Sequence, residues 1–179
     1  MELDGHFVVR RATVKDAARI AEVGARLFAQ SFAAQNTAEN MRAYLASAFG
    51  EEKQRRELSD PANIVWLAEA EDARAIGYAQ VKLGSHTKVI GIERPAEVSR
   101  VYADQQWHGK GVGARLLSAC IDAASEWGAS QIWLGVWKVN PRAVAFYQKH
   151  GFQIVGEHTF QLGGDPQHDW VMVRDLAQE

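Results

Sequence analysis

The residues with the clearest chemical capacity lie in one short stretch. Glu97-Val98-Ser99-Arg100-Val101-Tyr102-Ala103 is followed by Asp104 to Trp107 and then by His108-Gly109-Lys110-Gly111-Val112-Gly113-Ala114. The first part reads as a strand, and the glycines read as a turn that opens a helix. Amides in the first turn of a helix lack internal carbonyl partners and point outward, and glycine lets an anion come close without meeting a Cβ. The segment is therefore suited to holding phosphate. Lys110 adds a charge contact, and each favourable anion–dipole interaction contributes about 0.3–1 kcal/mol, so several together can anchor a pyrophosphate. The competing reading is a plain strand-to-helix turn, which does not call for three glycines within 109–113.

The spacing narrows which phosphate. A P-loop needs Ser or Thr after Gly-Lys and a glycine further upstream; here Gly109-Lys110 is followed by Gly111 and the upstream glycine is missing. Gly109, Gly111 and Ala114 do satisfy the glycine spacing of a dinucleotide fingerprint. That fold also wants an acid at the end of the next strand to hold a ribose, and the strand beginning at Gln131 ends in Trp137-Lys138-Val139-Asn140. A nicotinamide-dinucleotide oxidoreductase lacks its carboxylate.

The elements that must position this turn are legible as periodicities. His6 to Ala12 reads as a strand, and Thr13-Val14-Lys15-Asp16 resembles a capping box that opens a helix toward Phe32. Asn36-Thr37 starts a second helix carrying Met41, Tyr44, Leu45 and Phe49, a charged helical turn continues to Leu58, and Asp60-Pro61 ends it. Asn63–Ala70, Ala75–Leu83 and Ala96–Ala103 read as three strands of an antiparallel meander. From Gly111 the period lengthens: Val112, Leu116, Cys120, Ala123 and Trp127 line one helical stripe, and Gly128 stops it. Gln131–Trp137 is an apolar strand, Asn140-Pro141 starts a short helix closed by His150-Gly151, and Phe152–Leu162 and Asp169–Leu176 are strands around Gly163-Gly164-Asp165-Pro166. The order β-α-α-β-β-β-α-β-α-β-β implies an α/β fold with a mixed sheet covered by helices.

Composition bounds the rest. At 179 residues the chain is sized for a single domain over 1–179, and with 47% hydrophobic residues it can bury about 70% of its unfolded surface. Lys+Arg 20 against Asp+Glu 22 leaves no basic excess for a phosphate backbone, so nucleic acid is not expected as a partner. The longest uncharged stretch, Leu27 to Ala38, is too short and too polar to span a bilayer, and Met1-Glu2-Leu3-Asp4 does not read as a secretory signal. No membrane association and a cytoplasmic location are the expectations. One cysteine, Cys120, excludes an internal disulfide and reads as a small core residue, and the six histidines show no paired metal spacing. No metal is expected.

Two separated patterns then resemble the GNAT acetyltransferase superfamily. His108-x-x-Gly111-x-Gly113 is similar to that family's Gln/Arg-x-x-Gly-x-Gly/Ala motif for acetyl-CoA, departing at its first position. Asn140, Ala143 or Ala145, Phe146-Tyr147 and Gly151-Phe152 follow the family's Asn-x-x-Ala-x-x-Phe-Tyr-x-x-x-Gly-Phe pattern. Together these cover roughly 97 to 152, and the order of elements elsewhere is also the family's.

The resemblance implies a mostly antiparallel sheet flanked by helices and splayed at the acetyl-CoA site, between the strand ending near Ala103 and the strand from Gln131. Backbone groups of Val101, Tyr102 and Ala103 would meet the pantetheine arm, and His108, Gly109, Lys110, Gly111, Val112, Gly113 and Ala114 the phosphates. His108, in place of Gln or Arg, leaves the backbone cradle intact and puts a side-chain phosphate contact in question. Asn140 contacts the coenzyme or caps its helix. Glu97, fourteen residues before Gly111, occupies the place of a glutamate that takes the amine proton, with Asp104 and Asp169 as alternatives. Tyr147 matches a tyrosine that protonates the departing thiolate.

The implied acceptor is a small-molecule primary amine lying against Phe32, Tyr44, Trp137 and Asp169. Both flanks loosely resemble the bacterial spermidine/spermine-type branch, so a polyamine is the expected acceptor, with another small amine, an aminoglycoside, or a protein lysine or N-terminus still open. A non-catalytic acetyl-CoA-binding regulatory module is the reading from another class, and Glu97 and Tyr147 count against it. The oligomeric state is left open, a homodimer included.

Overall fold

In the computed structural model, which describes residues 6–91 and 93–176, the apolar runs become strands and the longer periods become helices. The strands are β1 (Phe7–Arg11), β2 (Asn63–Ala70), β3 (Ala75–Leu83), β4 (Pro95–Ala103), β5 (Gln131–Trp137), β6 (Gln153–Leu162) and β7 (Asp165–Asp175). The helices are α1 (Ala17–Phe32), α2 (Ala38–Ala48), α3 (Glu51–Ser59), α4 (Val112–Glu126) and α5 (Pro141–Lys149). One seven-stranded sheet runs in the order β1-β2-β3-β4-β5-β7-β6, antiparallel everywhere except between β4 and β5. No helix among the described residues is long and apolar enough to cross a membrane.

Each sheet face has its own core. The apolar stripe of α4, including Val112, Leu116 and Cys120, packs on Ile76, Ala79, Val98, Ile132 and Leu134. The opposite face carries Ile20, Val23 and Leu27 of α1 and Met41 of α2 against Leu67 and Tyr78. Leu116 is fully buried, and truncating such a leucine to alanine costs about 2–5 kcal/mol.

Three features depart from the periodicity reading. Helix α1 begins at Ala17 after a 3₁₀ turn at Val14–Asp16, where the Thr13 amide donates to Asp16 Oδ2 (2.8 Å). The second helical segment is two helices, broken at Gly50, which caps α3 from an extended conformation. Strand β7 starts at Asp165, not Asp169, because only Gly163 and Gly164 separate the paired residues Leu162 and Asp165. Pro166 is tolerated there because β5 pairs with β7 only from Asp169 onward, so a missing N–H breaks no bond to β5.

The feature that shapes the site lies between β4 and β5. They pair only at Pro95↔Gln131, Ala96↔Ile132 and Glu97↔Trp133, and then part. Just beyond, β4 carries a bulge: Val98 faces Val81 and Arg100 faces Gln80, leaving Ser99 as the extra residue. A bulge bends its strand, and this one sits where the pairing stops. It is held by side chains. Ser99 Oγ donates to Gln80 Oε1 (3.2 Å), and Arg100 Nη1 donates to the same oxygen (3.1 Å) and to Glu57 Oε2 (3.0 Å).

Candidate active site

A cavity of about 660 Å³ opens in this gap. One end is the predicted cradle. Gly109 (φ 79°) and Gly111 (φ 85°) occupy the left-handed region, and a Cβ on either would meet nothing within 4 Å. The first bond of the α4 ladder is Arg115 N–H to Gly111 O (3.0 Å). The amides of Val112, Gly113 and Ala114 therefore precede the ladder, and all three residues line the cavity. Asn140 lines it too, with its Oδ1 accepting from Ala143 N (3.2 Å) as the cap of α5. Capping and a ligand contact through its amide group are compatible.

His108 and Lys110 behave differently from the other members of the turn. The His108 Nε2 lies 3.0 Å from Ala103 O and ties the turn to the end of β4. Lys110 does not line the cavity: its ammonium sits 5.2 Å from the centre of the Trp107 ring. In this arrangement the Lys110 side chain lies over the Trp107 ring, a cation–π contact. Arg142 and Lys149 of α5 line the cavity. Their types and positions on α5 are visible in sequence, but not that α5 lies against the gap.

Along the gap, Asp104 N–H donates to Ile76 O (2.8 Å). Antiparallel alternation then turns the backbone groups of Tyr102 toward β3 and those of Val101 and Ala103 toward the open side. Both line the cavity, as does Tyr102. Ala103 O already accepts from His108, so its free group is the amide.

Glu97 and Tyr147 face the same cavity. Glu97 is half-buried at the last paired position of β4, where Ser85 Oγ donates to its Oε2 (2.5 Å). Ser85 is itself fixed by Trp133 Nε1, which donates to its carbonyl (2.8 Å). Tyr147, on α5, packs edge-on to Phe146 and Phe152. Burial, with the nearby Cys120, pushes its phenol well above the ordinary tyrosine range, so it stays protonated.

Asp104, one of the alternative bases, is outside the cavity. Its Oδ2 accepts from Arg26 Nη1 (2.6 Å) and its Oδ1 from Gln106 N (3.1 Å). Burial opposes its charge, but these partners hold its pKa below the usual value. It is a structural carboxylate. Cys120 is fully buried, and burial pushes its thiol far up, as suits a core residue.

The other end of the cavity is aromatic. Phe28 stacks on Tyr44 (4.4 Å between centroids), Phe32 meets Trp137 edge-on (6.0 Å), and Tyr44 meets Phe160 (5.4 Å). Helix α2 and the turn before it pin the β6–β7 hairpin that closes this end, since Gly164 N–H donates to Asn40 Oδ1 (3.0 Å) and Gln167 Nε2 to Asn36 Oδ1 (2.6 Å). The four predicted acceptor residues, Phe32, Tyr44, Trp137 and Asp169, all line it. Arg100, Gly135, His158 and Phe160 line it as well and were not anticipated. Their placement depends on the bulge and on cross-strand register, neither of which leaves a mark in local periodicity. Among the described residues no group of three or more His, Cys, Asp or Glu could hold a metal ion.

Comparison with known proteins agrees with this geometry. Residues 26–152 match the model of the acetyltransferase (GNAT) family. An uncharacterized N-acetyltransferase of Mycobacterium tuberculosis is 34% identical over 162 residues, covering 90% of this chain and 99% of that protein. A spermine/spermidine N(1)-acetyltransferase of Bacillus subtilis is 32% identical over 80 residues, covering 44% of this chain and 49% of that one. Among solved structures, the PaiA N-acetyltransferase of Thermoplasma acidophilum in complex with coenzyme A superposes with a TM-score of 0.75 at 20% identity, over 96% of this chain and 99% of that one.

Proposed function

The chain belongs to the acetyltransferase (GNAT) family, and from that premise we propose that it moves an acetyl group from acetyl-CoA directly to a primary amine, with Glu97 as base, Tyr147 as acid and a polyamine as acceptor. The carrying observation is one cavity that joins the free amides of α4 to Glu97 and Tyr147 through the β4–β5 gap. The residues fit the donor: open glycines for a diphosphate, and unpaired strand edges at Val101 and Ala103 for the amides of an extended arm. Acetyl-CoA supplies an activated thioester; the chain supplies position and protons.

An ordinary alkylammonium with a pKa of about 10.4 costs roughly 4–5 kcal/mol to deprotonate at pH 7. Glu97 answers this. The Ser85 hydroxyl holds one carboxylate oxygen and leaves Oε1 to accept the amine proton, directly or through water. Tyr147 keeps its proton throughout the neutral range and presents it toward the departing sulfur. Holding two reactants in register contributes about 7–11 kcal/mol and acid–base help about 3–5, so positioning outweighs either side chain.

The polyamine reading is supported by the aromatic walls, by the acid at Asp169, and by similarity over part of the chain to the Bacillus subtilis enzyme. Thiol release from acetyl-CoA across a panel of amines, with product masses, tests it. Acetylated spermidine or spermine is the expected product; transfer only to aminoglycosides or protein amines would overturn the acceptor, and no thiol release with any amine would overturn the enzyme.

A further inference from the structure

The aromatic end of the cavity holds a carboxylate whose bonding is incomplete. Asp169 is only 7% exposed, and its Oδ1 is buried with no hydrogen-bond partner among the described residues. Its Oδ2 lies 3.6 Å from His158 Nε2, the residue opposite it on β6. A buried carboxylate oxygen without a partner is costly, and such groups are ordinarily satisfied by a cation or by hydrogen bonds. Asp169 lines the cavity and its side chain keeps 11% of its surface exposed, so a cation there can lie against the carboxylate.

Gly135 makes room for this pair. A Cβ at that position would stand 2.5 Å from His158 Nε2 and 3.3 Å from Asp169 Oδ2. A glycine therefore lets the imidazole and carboxylate lie close over β5, with Asp169 Oδ2 on the side of His158 and Gly135. Among the described residues, Asp169 and Glu97 are the only carboxylates that line it.

The two carboxylates stand at different levels of the sheet. Glu97 pairs with Trp133 and Asp169 with Trp137, on either side of Gly135. The Asp169 carboxylate leans back to Gly135, so about two residues, or roughly 7 Å along the strand, separate the two levels, and their strands lie on opposite sides of β5, each about 5 Å from it. That offset is too large for one amine nitrogen to serve both carboxylates and suits an acceptor with two separated ammonium groups. Phe32 and Trp137 sit beside the path, and aromatic faces attract ammonium groups and cover methylenes.

We propose that Asp169, positioned by His158 over the floor opened by Gly135, binds a second ammonium of the acceptor while Glu97 serves the reacting nitrogen, so that the enzyme selects short α,ω-diamines and polyamines over monoamines. This rests on the acetyltransferase reading above. It assigns Asp169 to recognition, not to proton removal, and gives His158 and Gly135 positioning roles.

The test is initial-rate acetylation by the full chain of 1,4-diaminobutane and of butylamine, with acetyl-CoA affinity measured separately by calorimetry. The wild-type protein is expected to favour the diamine at least ten-fold in kcat/KM, with the difference residing in KM. Asp169→Asn brings that ratio close to one, and Asp169→Glu recovers part of it. Gly135→Ala, which pushes the imidazole across the carboxylate, lowers the ratio in the same direction and covers the case in which Asp169→Asn does not fold. A wild-type ratio near one overturns the proposal and leaves the acetyltransferase reading standing. An Asp169→Asn protein that loses both amines equally, largely in kcat, places Asp169 at the reacting nitrogen and also overturns it. Failure of the wild-type protein to acetylate any amine removes both readings.

Discussion

Replacing Gly111 by alanine separates the two things that this glycine does. At φ 85° it caps α4 from the left-handed region, where an L-residue is strained by about 1–2 kcal/mol. A Cβ there meets no atom within 4 Å, so strain is the whole cost to the folded chain. For a domain of this length, that lowers Tm by about 2–8 °C. Gly128, at φ 80° just beyond the C-terminal end of α4, carries the same backbone strain, and its Cβ would meet only Arg94 at an ordinary 3.7 Å. Gly128 lies outside the cavity. Both variants therefore lose similar stability, but only Gly111→Ala puts a methyl where a phosphate would approach. Losing one amide–phosphate hydrogen bond, worth about 1.5–3 kcal/mol, weakens acetyl-CoA binding by about ten- to a hundred-fold. Calorimetry on the two variants, beside their thermal melts, reads both effects. Equal acetyl-CoA affinity for Gly111→Ala and Gly128→Ala would refute the assignment of the cradle.

Further expectations concern single side chains. Glu97→Gln lowers kcat by about 10²–10³ while acetyl-CoA affinity stays within two-fold, checked by rates at saturating amine and by calorimetry. Tyr147→Phe also lowers kcat at every neutral pH, and since burial raises the phenol's pKa, the wild-type rate shows no alkaline limb from Tyr147 below pH 10; a pH–rate profile on both proteins decides this. Asp16, hydrogen-bonded to Arg10, has its pKa lowered from 3.8 to about 2. A depressed carboxylate contributes stability that is full above its ordinary value and is lost as pH falls through the folded one. After discounting for solvent screening this is about 1 kcal/mol, and urea melts at pH 5 and pH 2 should show it shrinking, with Asp16→Asn flattening that part of the curve.

The parts of the fold written in local pattern were legible. The limits of β2, β3 and β5 follow from β-branched and aromatic runs bounded by turn residues, and α4 from its apolar stripe between Gly111 and Gly128. What was not legible depends on partners far along the chain. The bulge at Ser99 has no glycine to mark it and exists through Gln80, Arg100 and Glu57, which come together only in the fold. Pro166 hides the start of β7, because its tolerance depends on where β5 ends. Lys110 reads as a phosphate ligand by its neighbours, and its contact with the ring of Trp107, three residues earlier, is seen only in the fold. Gly135 and His158 carry no motif at all; only the register that stacks β5, β7 and β6 brings them to Asp169.

Everything proposed for the site begins with coenzyme recognition by the amides at the start of α4. The most direct measurement is isothermal titration of the folded protein with acetyl-CoA and, in parallel, with a reduced nicotinamide dinucleotide. Saturable one-to-one binding of acetyl-CoA, weakened in Gly111→Ala, with no heat from the dinucleotide, is the expected result. No detectable affinity for acetyl-CoA, or tight association with the dinucleotide in its place, would contradict the account at its root.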